Sequence, residues 1–173
     1  MAKLPAFHYL VTVFKNRRTM LFRIATAADW DAMMELRLAV KENILVNTGA
    51  VTSQHFEDML ANGGRGWVCE ANGAMLGFAI VDLAQHNIWA LFVHPNHDRK
   101  GIGRELHRLM LDWSFRNGAE WLWLSTEPGT RAEQFYLKAG WQPKGLEQNG
   151  EMRFEMTREQ WQANHHSSYT FTS

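Results

Sequence analysis

Leu91-Phe92-Val93-His94-Pro95-Asn96-His97-Asp98-Arg99-Lys100-Gly101-Ile102-Gly103-Arg104 is the stretch whose reading decides the fold. It begins inside a continuous apolar run, Ile88–Val93. Continuous rather than alternating apolarity predicts a strand buried on both faces of a sheet, and Pro95 stops it. From Gly101 the period switches. Ile102, Leu106, Leu109, Met110 and Trp113 fall on one helical stripe. A strand thus runs through a loop into an amphipathic helix with two glycines at its start. Glycines there let backbone N–H groups approach a ligand closely, and a helix N-terminus adds about half a positive charge. Arg99, Lys100, Arg104 and Arg108 crowd the same end. In a neutral chain, cations gathered at a helix N-terminus predict a polyanionic ligand, most simply a pyrophosphate. The plain alternative is a glycine-started helix with solvated charges.

Two nucleotide motifs are measured against this stretch. The P-loop pattern G-x-x-x-x-G-K-[ST] is absent. The dinucleotide fingerprint G-x-G-x-x-G is met at Gly101 and Gly103, but its third position is Leu106. Glu127 lies near the end of the next strand, where a ribose-binding acid would sit. A nicotinamide-binding oxidoreductase therefore stays open on these residues alone.

Outward from the loop, the chain reads as one α/β domain. Met20–Ala25 is a first strand, and Thr26 caps a helix with Trp30, Met33, Met34, Leu36 and Val40 on its apolar face. Thr52 or Ser53 caps a second helix, which Asn62-Gly63-Gly64 ends. Asn72-Gly73 joins Trp67–Ala71 to Ala74–Leu83 as a type I′ hairpin, and Asn149-Gly150 reads as a second copy. Trp121–Leu124 is a buried strand, and Ala132, Phe135, Tyr136 and Ala139 mark a further helix. The expected order is β-α-α-β-β-β-α-β-α-β-β, with helices on both sheet faces. Residues 1–19 carry four cations and no acid, and read as a basic extension outside a domain spanning 20–163. Residues 164–173 read as a loose tail, with Tyr169–Thr172 an optional strand.

Composition narrows the function. The chain has 173 residues, with 18 Lys plus Arg and 18 Asp plus Glu. Zero net charge argues against a general nucleic-acid binder. The single cysteine, Cys69, excludes an internal disulfide and a cysteine zinc cluster, and suits a reducing, cytoplasmic setting. Cys69 sits mid-strand and reads as packing. No apolar stretch reaches membrane-spanning length. His94-x-x-His97 lacks a third ligand in view, so no metal is expected.

Val93-x-Pro95 followed by Lys100-Gly101-Ile102-Gly103 resembles the acetyl-CoA signature of the GNAT superfamily of acyl-CoA N-acyltransferases. The later stretch Ala132-Glu133-Gln134-Phe135-Tyr136-Leu137-Lys138-Ala139-Gly140-Trp141 resembles that family's A-x-x-x-Y-x-x-x-G-[FW] helix motif. The two motifs lie one helix and one strand apart, as in the family. The chain departs from the pattern at Asp98, where Arg or Gln is usual, and at Gly129, where Asn is common.

The resemblance implies a GNAT-like α/β fold, a mixed and mostly antiparallel sheet with helices on both faces. It implies acetyl-CoA as co-substrate and no metal. Strands 88–93 and 121–125 would part near their C-terminal ends to admit the pantetheine arm. Cofactor contacts fall on Leu91, Phe92, Val93, Arg99, Lys100, Gly101, Ile102, Gly103, Arg104 and Phe135. Tyr136 would protonate the departing thiolate, as a phenol of pKa ~10 can. Arg37, Glu42 and Asn43 would meet the acceptor, and Trp30, Trp67 and Trp89 read chiefly as core. The general base stays open among Glu42, Glu127, His86, His94 and a water chain. The expected activity is transfer of acetyl to a primary amine by direct attack in a ternary complex. The expected partner is a small-molecule or peptide amine, with no nucleic acid or membrane, and a homodimer is compatible. The other reading is a non-catalytic CoA-binding or partner-binding module on the same fold.

Overall fold

The computed structural model describes residues 20–40 and 52–166. Glu42, Asn43, the basic extension 1–19 and the optional strand Tyr169–Thr172 lie outside the described residues. The elements are β1 (Leu21–Ile24), α1 (Trp30–Ala39, entered through a 3₁₀ turn Ala27–Asp29), α2 (Ser53–Ala61), β2 (Arg65–Ala71), β3 (Ala74–Asp82), β4 (Asn87–Val93), α3 (Ile102–Arg116), β5 (Trp121–Thr126), α4 (Arg131–Lys138), β6 (Gln142–Leu146), β7 (Met152–Thr157) and α5 (Arg158–His166). The strands form one seven-stranded sheet in the order β1-β2-β3-β4-β5-β7-β6. Every pairing is antiparallel except β4 with β5.

A core lies on each face of the sheet. Ile102, Leu106 and Met110 of α3, Tyr136 of α4 and Trp161 of α5 pack on one face. Met33 and Leu36 of α1 and Phe56 and Met59 of α2 pack on the other, over Val68, Phe78, Ile80 and Ala90. Mixed pairing and two covered faces are the expected fold class.

β4 differs from its expectation, and the difference makes the site. Val81 pairs with Ile88 and Ile80 with Ala90, so Trp89 is the extra residue of a β-bulge. The bulge turns Ile88 into the α3-side core and Ala90 into the α1-side core. Beyond it, Leu91, Phe92 and Val93 are only half-buried. The run is therefore not covered on both faces. Its apolarity serves a cleft, because β4 meets β5 at a single pair, Asn87 with Trp123. That end is pinned by Trp123 N–H donating to the His86 carbonyl at 2.8 Å. The Asn87 amide also donates to the Trp123 carbonyl at 3.3 Å. From there the strands separate.

The two Asn-Gly turns are not copies. Asn72 and Gly73 both have positive φ (51° and 76°), as a type I′ hairpin requires. In the second, only Gly150 does. Asn149 instead accepts the Glu151 N–H on its side-chain oxygen at 3.0 Å, which builds a longer loop. Helix α5 extends the fold past 163, the end expected for the domain. Thr157 and Gln160 start it with a reciprocal capping box: Gln160 N–H donates to Thr157 Oγ1 at 3.2 Å, and Thr157 N–H donates to Gln160 Oε1 at 2.9 Å.

The N-terminal strand is tied to α1 by charge. Arg23 holds Asp29 through two hydrogen bonds, at 2.9 and 2.7 Å, and reaches Glu70 at 3.0 Å. The Asp29 carboxylate also accepts the Thr26 backbone N–H at 2.8 Å, which caps the helix start. The Arg23 guanidinium holds the Asp29 carboxyl below its usual pKa against the opposing cost of burial. A lowered pKa means that the folded state favours the charged form. Its stabilisation is present above the ordinary carboxyl pKa and fades as pH falls below about 4. Asp29→Asn should cost about 1–3 kcal/mol at neutral pH. Urea melts at pH 7 and pH 3 test this, and the gap between variant and wild type should narrow at pH 3. A gap that stays constant would rule out the ion pair as its source.

Candidate active site

The separation of β4 and β5 opens a cavity of about 1150 Å³. One wall is β4, with Ile88 through Phe92, and the other is β5, with Trp123 through Thr126. Over the separated stretch the facing backbone edges have no partner in the sheet. A buried backbone edge demands hydrogen bonds, and an extended ligand lying between the strands can supply them. Leu91 and Phe92 border the cavity. Val93 pairs with Gly77, and its Cγ2 lies 3.4 Å from where a Cβ on Gly103 would stand, so it links strand to helix.

At the end of β4 the chain makes a 3₁₀ turn over Pro95–His97 and enters α3 through Gly101, whose φ is +84°. Arg99 precedes it at φ +59°. Two left-handed residues so close together turn the chain sharply into α3, whose first N–H groups have no partner within the helix. A Cβ on Gly101 would meet nothing within 4 Å, so this face of the loop is open. Arg99, Lys100 and Arg104 are exposed around it. Lys100 Nζ donates to the Asn96 carbonyl at 3.3 Å and lies 3.1 Å from His97 Nδ1.

Arg108 does not join them. Its guanidinium is held by Glu105 at 2.6 and 3.0 Å and by Asp112 at 2.7 Å, along its own helix. The cation cluster expected at this end is three residues, not four. The unusual Asp98 has its own cation: Arg131 donates to it at 2.7 Å, tying the loop to the first turn of α4. Gly129, at φ +79°, gives its N–H to Glu133 at 2.7 Å and so closes the start of α4.

Helix α4 carries Tyr136 to the cavity. The residue is buried at 7% exposure. Its ring packs against Phe135, Trp141 and Phe154 at 5.3, 5.7 and 6.3 Å. Behind them, Trp141 Nε1 donates to His107 Nε2 at 2.9 Å, which fixes the helix against α3. Among the described residues no hydrogen bond is made to the Tyr136 hydroxyl. Burial pushes its pKa well above the ordinary phenol value, so the proton stays on at neutral pH. Phe135 faces the other way, edge-on to His107 at 5.4 Å, and does not border the cavity.

Arg37 borders the cavity from α1, with its guanidinium over the Phe92 ring at 4.4 Å. Trp30 and Trp89 border it too, stacked through Phe56 at 5.6 and 6.5 Å. Trp67 packs in the core against Trp113. The base candidates divide. Glu127 borders the cavity. His86 lies at the pinned end, stacked on Trp121 at 5.0 Å. His94 Nδ1 accepts the Asn96 N–H at 3.2 Å within its own loop.

Sequence reasoning missed Ser125 and Glu151. Ser125 Oγ donates a short hydrogen bond, 2.5 Å, to Glu151 Oε2, and both border the cavity. The residues are far apart in sequence and meet only through the pairing of β5 with β7. Cys69 is fully buried in β2, and burial pushes its thiol up to about 12, so it is no thiolate nucleophile. Among the described residues no helix is long and apolar enough to cross a membrane.

A family model described as the acetyltransferase (GNAT) family matches residues 30–141. No curated protein matches the chain. Its fold is similar to that of a ribosomal-protein-alanine N-acetyltransferase from Brucella melitensis, at 23% identity and a TM-score of 0.66, covering 79% of this chain and 99% of that one. It is similar to a putative acetyltransferase from Salmonella typhimurium solved with acetyl-CoA, at 20% identity and 0.64, covering 80% and 93%. It is similar to the paia N-acetyltransferase from Thermoplasma acidophilum in complex with coenzyme A, at 14% identity and 0.63, covering 80% and 99%. The matched residues include the strand, glycine loop, helix and tyrosine described above. The chain belongs to the GNAT acetyltransferase family.

Proposed function

We propose that the protein is an acetyl-CoA-dependent N-acetyltransferase that moves acetyl to a primary amine by direct attack in a ternary complex. The observation that carries this reading is the gap between β4 and β5 with Tyr136 on its wall. The N-terminal amides of α3 at Gly101, Ile102 and Gly103, with Arg99, Lys100 and Arg104, would hold the pyrophosphate of CoA. The backbone of Leu91, Phe92 and Val93 would pair with the pantetheine arm. One of those amides would donate to the thioester oxygen as negative charge develops on it. Phe135 supports the site from behind, through its contact with His107.

The thioester supplies an activated acetyl group; the chain supplies orientation and proton handling. An amine of pKa ~10 arrives mostly protonated and must lose a proton to attack. The carboxylates of Glu127 and Glu151 border the cavity and can attract the ammonium form. Tyr136 keeps its proton and presents it toward the departing sulfur. Arg37 meets the acceptor from α1. Glu42 and Asn43 would do so from just beyond it.

The test is thiol release from acetyl-CoA across a panel of primary amines. Release above hydrolytic background with at least one amine is expected. Tight CoA binding with no release for any amine would instead assign a non-catalytic CoA-binding module.

A further inference from the structure

We infer that the acceptor is a small amine that also carries a carboxylate, such as an amino acid, and that Arg37 is the residue that grips that carboxylate. The inference rests on the N-acetyltransferase reading of this cavity and names its substrate class. Arg37 is half-buried, yet among the described residues its guanidinium makes no hydrogen bond and no ion pair. Three other partly buried arginines are paired with carboxylates: Arg23 with Asp29 and Glu70, Arg108 with Glu105 and Asp112, and Arg153 with Glu147 and Glu155. Arg158 donates to the Ala119 carbonyl. Arg65, stacked on Trp113 at 4.6 Å, has no ion pair among the described residues either, but of Arg37 and Arg65 only Arg37 borders the cavity. A cation removed from water ordinarily has a counter-charge. For Arg37 the adjoining space is the cavity.

Its posture suits an anion. The Phe92 ring covers one face of the guanidinium at 4.4 Å, and Phe92 is itself held by Phe78 at 5.5 Å. Stacking uses the flat face and leaves the in-plane N–H fork free, the geometry that matches a carboxylate. A single arginine among Trp30, Met34 and Trp89 matches one negative charge. A phosphate carries ≈ −1.5 to −2 and three acceptor oxygens, and would call for further cations. The β5 side of the same cavity presents Glu127 and Glu151. One wall thus favours an anion and the other an ammonium, the charge pattern of a zwitterion.

The test compares alanine, leucine, methionine and phenylalanine with their carboxamides. The full chain is used, with acetyl-CoA for turnover and with CoA for binding by calorimetry. At least one free acid should be preferred over its amide by about 10–100-fold in kcat/KM and in Kd, as expected for a charge-assisted hydrogen-bond pair. Arg37→Gln should erase that preference without changing CoA affinity. Arg37→Lys, which keeps the charge and loses the fork, should retain part of it. A wild-type protein that treats acids and amides alike, or an Arg37→Gln variant that keeps the preference, overturns the inference. Turnover of the amides or of peptide amino termini at equal rate sinks it while leaving the acetyltransferase reading intact. Acid-selective binding lost in Arg37→Gln, with no thiol release from any amine, keeps the Arg37 site and overturns the reading.

Discussion

Gly103→Glu should lower acetyl-CoA affinity by at least about 100-fold, close to 2.7 kcal/mol, while leaving the fold as stable as before or more so. The two effects have opposite signs for the same physical reason. An acid in the first turn of a helix is stabilising by ~0.3–1 kcal/mol because it faces the positive end of the helix dipole. Replacing a glycine inside a helix adds another ~0.5–1 kcal/mol. That same positive end, ringed by Arg99, Lys100 and Arg104, is where we place the pyrophosphate, so the carboxylate occupies and repels it. Gly103 is the better probe than Gly101. Gly101 sits at φ +84°, where any side chain is strained, so loss of binding there could reflect a distorted loop. A Cβ on Gly103 meets only Val93 Cγ2 at 3.4 Å, an ordinary contact. Gly103→Ala is the steric control and should bind almost normally. Calorimetric titration with acetyl-CoA and a thermal melt on each variant decide the matter. Wild-type affinity in a folded Gly103→Glu protein would remove the phosphate from this helix end.

Much of the fold follows from local chemistry that a single chain displays. Helix α3 is legible because Ile102, Leu106, Leu109 and Met110 recur at the helical period, and all four are buried. The first hairpin is legible because Asn-Gly accepts positive φ at both positions. What escaped depends on partners distant in sequence. The bulge at Trp89 exists only in the register between β3 and β4, and no property of Ile88-Trp89-Ala90 announces it. The apolar run therefore reads as a doubly covered strand, although Ile88 through Phe92 line a cleft. Helix α5 is a different case: Thr157 and Gln160 carry a capping-box spacing that was open to reading but sits directly after a strand.

The site divides along the same line. The glycine loop and Tyr136 are contiguous motifs; Tyr136 borders the cleft, and the loop follows β4, the strand that forms one of its walls, without lining the cavity itself. Ser125 with Glu151, and Asp98 with Arg131, are pairs that only the folded sheet creates. Arg108 could have been discounted beforehand. Glu105 and Asp112 stand three and four residues from it, the spacing at which helical side chains pair. Its charge is spent along the helix before it reaches the loop.

Tyr136→Phe should reduce kcat by about 10²–10⁴-fold with little change in acetyl-CoA affinity, the range general-acid assistance contributes. The structure makes this substitution clean. The ring is held by Phe135, Trp141 and Phe154, and those contacts survive loss of the oxygen. The hydroxyl has no hydrogen-bond partner among the described residues, so its removal leaves no orphaned donor or acceptor behind. The melting temperature should therefore stay near that of wild type. The pH profile adds a second discriminator. Burial raises the Tyr136 pKa, so the proton is retained throughout the neutral range and the wild-type rate should show no falling limb from this group there. The rise of rate with pH reports loss of a proton from the amine instead. In the phenylalanine variant the thiolate must take its proton from water, so the deficit should shrink as pH falls. A structural tyrosine would give the reverse pattern, a lowered melting temperature with nearly normal kcat in the folded fraction. Stability and kcat measured on one preparation, with an acceptor that supports turnover, separate the two. An unchanged kcat would assign the proton on the leaving sulfur to solvent.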